Sequence, residues 1–165
     1  MNETMKVVKV GIADMNIVKA PCTIRTAGLG SCVGVVLYEP LKQVAGMVHI
    51  MLPDSSLGKE GILNMAKYAD TRIRELVRKL EKEGLRSSLM KAKIAGGAQM
   101  FQFSSGSDFM RIGPRNEEAV KKTLQELRIE LLAADCGGNN GRTIEFNPIT
   151  KILSIRTVNK GVKEL

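Results

Sequence analysis

Residues 25–34 read Arg-Thr-Ala-Gly-Leu-Gly-Ser-Cys-Val-Gly, and the only histidine of the 165-residue chain, His49, stands in the next apolar run. A cysteine and a histidine held together can perform nucleophilic chemistry. A thiol with a pKa near 8.5 becomes a thiolate at neutral pH beside an imidazolium. The histidine then returns the proton to a leaving group, provided a third residue holds its ring. The other reading is a buried structural cysteine and a satisfied core histidine, and the residues alone leave both open.

Position in the chain favours an encounter. Glu39-Pro40-Leu41-Lys42 is a turn with proline preset at its second position. A hairpin centred between Pro40 and Leu41 sets Tyr38 opposite Gln43, Val36 opposite Ala45 and Cys32 opposite His49. Directly opposed residues have Cβ atoms about 4.5–5.5 Å apart, whereas a one-residue slip sends them to opposite faces. Both faces of this hairpin are apolar: Val33, Val35, Leu37, Val44, Val48 and Ile50 on one, and Val36, Ala45 and Met47 beside Cys32 on the other. That pattern predicts a sheet covered on both sides, hence three layers.

Composition bounds the rest. A chain of this length forms one domain, residues 1–165, with a sizeable core. The start, MNETMKVVKV, lacks the features of a signal peptide, and no apolar run reaches the roughly 20 residues of a membrane span. A cytoplasmic protein without membrane insertion is expected. Cys22, Cys32 and Cys136 are then expected as reduced thiols. They form no CxxC pair, so with a single histidine no metal or cofactor is expected. The formal charge of +8 points to an acidic partner. Nucleic acid is not expected, because there is no Trp, only two Tyr and four Phe to stack bases, and the basic residues alternate with Glu in RIRELVRKLEKEG (72–84).

Strands are predicted over Lys6–Ile12, Thr23–Thr26, Ser31–Tyr38 and Gln43–Met51, followed by a polar loop at Pro53–Gly61. From Asn64 the spacing turns helical: Ala66, Ala69, Ile73, Leu76, Val77 and Leu80 share a face, and Gly84 ends it. Lys91–Ala95 reads as a strand. A second helix is predicted from Asn116 as N-cap, with Val120, Leu124 and Leu127 inward. Ile129–Ala134, Thr143–Phe146 and Ile152–Val158 read as strands, giving a layered α/β or α+β domain.

RTAGLGSCVGVVLYEP followed by VAGMVHIMLPDS resembles the signature of the CheD family of chemoreceptor glutamine deamidases. Further matching stretches are AKIAGGAQMF (92–101), IGPRNEEAV (112–120) and Gly137-Gly138-Asn139 with Arg142. The resemblance spans nearly the whole chain. It implies Cys32 as nucleophile, His49 as base and Thr26 as third member. It also implies a three-layer αββ sandwich related to deamidating toxins. The implied substrate is a glutamine on the cytoplasmic helical bundle of methyl-accepting receptors, and the implied partner is a CheC-type phosphatase. The backbone around Cys32, with Gly30 permitting the turn, is expected to bind an oxyanion.

Two rivals remain. One is a non-catalytic binding module regulating a CheC-type phosphatase, against which an intact Thr26, Cys32 and His49 speaks. The other is a thiol phosphatase, because CGGNNGR (136–142) satisfies Cys-x5-Arg. That chemistry needs a helix N-terminus after the loop, and TIEFNP reads instead as a strand.

Overall fold

The computed structural model describes residues 6–51, 68–99 and 112–165. The polar loop at Pro53–Gly61, the helix start at Asn64 and Ala66 lie outside the described residues.

Among the described residues, ten strands form two five-stranded sheets. In the first, β1 (Val7–Val10), β3 (Thr23–Leu29), β8 (Arg142–Phe146), β9 (Leu153–Thr157) and β10 (Gly161–Glu164) lie side by side in that order. In the second the order is β2 (Met15–Lys19), β5 (Val44–Ile50), β4 (Val33–Tyr38), β6 (Lys91–Gly96) and β7 (Glu130–Cys136). Two α-helices, α1 (Ala69–Lys82) and α2 (Ile112–Glu126), and a short 3-10 helix at Ser87–Leu89 complete the described elements. Among the described residues no helix is long and apolar enough to cross a membrane.

Alternation along β4 and β5 sorts their side chains into two apolar clusters. Val33, Val35, Leu37, Val48 and Ile50 pack with Ile73, Leu76 and Leu80 of α1 and with Val120 and Leu124 of α2. Val36, Tyr38, Ala45 and Met47 pack with Ile24, Ile144, Phe146 and Ile155 of the first sheet. All six residues of β4 are buried, as the doubly apolar pattern requires. The rings of Tyr38 and Phe146 meet at 5.1 Å between centroids, joining the sheets.

Helix α1 follows from its sequence: Ala69, Ile73, Leu76, Val77 and Leu80 are its buried residues, and Gly84 leaves it at φ +96°. Strands β2 and β10 were not foreseen. The second helix corrects the expected start at Asn116. Its described span begins at Ile112, so Asn116 lies inside the helix, fully buried.

The hairpin register is also corrected. Tyr38 pairs with Ala45, Val36 with Met47 and Gly34 with His49, so Cys32 is not directly opposite His49. The Glu39–Lys42 turn forms, with Lys42 N–H donating to Glu39 O. Gln43, however, gives its carbonyl to the Ala20 N–H, so the ladder begins further from the turn. The displacement is two residues, and an even shift preserves the face. Cys32 therefore still borders the cluster into which His49 points.

Candidate active site

Thr26 and His49 come from different sheets and meet between them. Thr26 sits on β3, beside Val10 of the parallel strand β1. His49 sits on β5, where its backbone N–H donates to Asp14 O at 3.0 Å. The His49 side chain is fully buried, and its Nδ1 lies 2.7 Å from Thr26 Oγ1.

The neighbours decide the tautomer. Thr26 Oγ1 donates to the Val10 carbonyl at 2.8 Å. A hydroxyl has a single proton. With that proton committed, Oγ1 can only accept from His49, so Nδ1 carries the ring hydrogen. Nε2 is then the basic nitrogen, and it is buried without a hydrogen-bond partner among the described residues. Burial lowers the pKa of His49 from 6.5 to about 4, so the ring is neutral at physiological pH.

Cys32 precedes β4 and is partly buried against the same inter-sheet cluster. Its surroundings push the thiol above its usual range, again by burial. Burial thus favours the neutral form of both the thiol and the imidazole. Opposite His49 stands Gly34, whose missing side chain leaves space filled by Ile144 of β8; a Cβ there would lie 2.5 Å from Ile144 Cδ1.

The Cys32 segment is held from its flank. Gly97 N–H donates to Cys32 O and Ala98 N–H to Gly30 O, both at 2.8 Å. Gly96 has φ +117°, and a Cβ on it would come within 2.2 Å of Cys32 O. Glycine is required here by backbone conformation and by space together. Gly28, inside β3 where its pairing shifts register, has φ +73°, whereas Gly30, expected to permit the turn, is not in the left-handed region. Asn116 adds a clamp that sequence reading missed, its Nδ2 donating to Ser31 O at 2.9 Å and Met51 O at 3.1 Å. Its signal was masked because Asn before Glu-Glu looks like a helix cap.

Cys136 and Arg142 do not form a phosphate loop. Arg142 opens β8, so a strand and not a helix follows. Its guanidinium is committed to Asp135 at 3.2 Å and to the carbonyls of Gly96 and Gly137. Burial foremost raises the Cys136 thiol to about 12, which leaves it protonated. Cys22, Cys32 and Cys136 are all outside disulfides. Among the described residues no group of His, Cys, Asp and Glu is placed to hold a metal ion.

The fold is mixed α/β, and between its two sheets Cys32 borders the face from which the Thr26-bonded His49 projects. The chain is a member of the CheD family, whose description, CheD chemotactic sensory transduction, matches residues 51–157. The chemoreceptor glutamine deamidase CheD of Halalkalibacterium halodurans is 67% identical over 159 residues, 96% of this chain and 98% of that one. The protein of the same name from Bacillus subtilis is 54% identical over 159 residues, 96% of each chain. These alignments span most of the segment before residue 51 that the family match omits. Among solved structures, the hypothetical protein YfiH of Bacillus licheniformis aligns with a TM-score of 0.50 at 13% identity, over 76% of this chain and 51% of that one. That likeness concerns the fold alone.

Proposed function

We propose that this protein deamidates glutamine side chains of methyl-accepting chemoreceptors, with Cys32 as nucleophile, His49 as general base and acid, and Thr26 as the residue that orients the ring. The observation that carries this reading is the Val10–Thr26–His49 relay, which leaves Nε2 unprotonated on the face that Cys32 borders. The names of the relatives support the substrate.

With both partners neutral at rest, His49 acts during attack and not before it. Nε2 takes the Sγ proton as sulfur bonds to the amide carbon. The oxyanion that forms needs donors, and Cys32 N–H is suited: it donates to no backbone acceptor among the described residues, although Cys32 O accepts from Gly97. His49 then protonates the departing nitrogen, ammonia leaves, and a thioester remains. Water attacks that thioester while Nε2 accepts its proton. Collapse expels sulfur, which regains its proton from His49, and glutamate is released. A glutamyl methyl ester would follow the same route with methanol leaving.

The reading extends to a three-layer αββ architecture over one domain, residues 1–165, akin to deamidating toxins, in a cytoplasmic setting with a CheC-type phosphatase as partner. The decisive experiment is mass spectrometry of receptor cytoplasmic fragments after incubation. Conversion of specific Gln to Glu by the wild type, absent with folded Cys32→Ala, is the expected result. Equal conversion by both proteins would refute the assignment.

A further inference from the structure

We infer that Asn116 is a positioning residue that sets the separation of Cys32 and His49, an inference that rests on the catalytic reading of that pair. The two elements of the pair arrive on different stretches of chain. Ser31 directly precedes Cys32, and Met51 follows His49 by two residues, just past the end of β5. One side-chain amide spans both, donating its two hydrogens to Ser31 O and Met51 O.

The amide orientation is fixed, because both neighbours are carbonyl acceptors and only the nitrogen can face them. Oδ1 consequently points away and is buried without a partner among the described residues. A buried unsatisfied acceptor is unfavourable. The feature that an apolar side chain of similar shape could not supply is the donor pair, which joins two backbone carbonyls from separate stretches of chain. The ladder register makes the clamp necessary. The position opposite Cys32 falls at Met51, just past the last residue of β5, where regular strand pairing no longer fixes the spacing. Asn116 closes this end of the ladder from α2. Its anchorage is firm: Gly113, one turn earlier, packs so closely that a Cβ would lie 2.1 Å from Ala98 O, and Ala98 N–H in turn holds Gly30.

The test compares wild type, Asn116→Leu and Asn116→Asp in two assays. The first is ammonia release from receptor fragments; the second is iodoacetamide alkylation of Cys32 across pH, mapped by peptide mass. Asn116→Leu is expected to keep KM within about twofold, to lose kcat by about a hundredfold, and to slow Cys32 alkylation at neutral pH. Asn116→Asp is expected to work while its carboxyl is protonated and donates one hydrogen bond, and to fade as pH rises and that proton is lost. Folded variants with lower melting temperatures but unchanged kcat, alkylation and pH profile would overturn the inference. If Asn116→Leu does not fold, the pH profile of Asn116→Asp decides alone. A wild type that releases no ammonia would refute the deamidase reading, whereas the alkylation comparison still judges the clamp.

Discussion

Thr26 fixes the tautomer of His49 through one hydroxyl proton. Thr26→Val deletes both the acceptor for Nδ1 and the donor to Val10 O, freeing the ring to change tautomer. Turnover is expected to fall about a hundredfold, whereas Thr26→Ser keeps both bonds and stays within a few-fold in the same ammonia assay. The pH behaviour of His49 follows from its depressed pKa. Between pH 6.5 and about 4 the unfolded chain binds a proton that the folded one refuses, so stability falls as pH falls through that window. The loss is about 3 kcal/mol at full extent, and urea unfolding of wild type against His49→Gln should isolate it. Activity follows the folded pKa instead: its acid limb is expected near pH 4, well below the 6.5 of an ordinary histidine.

At the scale of elements, the strip Gly96–Ala98, which starts at the last residue of β6, fixes the Cys32 segment. Gly96→Ala places a methyl against Cys32 O and forces an L-residue to positive φ. It should cost about 3 kcal/mol of stability, measured by urea unfolding, and distort the Cys32 segment where the fold survives. The elements that could be read from sequence share a cause. Helix α1 and the β4–β5 hairpin carry strong periodicity in apolar residues, and the pairing of Cys32 with His49 rested on that alternation. That direct pairing is not found, but because the register error is an even number of residues Cys32 and His49 stay on one face. What stayed hidden depends on distant contacts. The four exposed residues of β10 have no apolar pattern to betray a strand, and β2 is interrupted by polar Asn16. No spacing rule links Asn116 to two carbonyls that lie far from it in the sequence.

For the molecule as a whole, the formal charge of +8 and the anionic character expected of receptor segments that gain glutamates imply an electrostatic contribution to docking. Association with receptor fragments should weaken as salt rises, because exposed charges are screened beyond about 8 Å at physiological ionic strength; titration calorimetry across a salt series measures it, and a flat response would remove the charge argument. The interleaving of the two sheets has a consequence for synthesis. Thr26, Cys32 and His49 are all made early, yet β3 has only β1 for company until β8 is made and pairs with it. A lone strand pair is marginal in water. In a chain still lacking its last strands β3 is therefore poorly held, and the Thr26–His49 contact between the sheets becomes secure only when the protein is nearly complete.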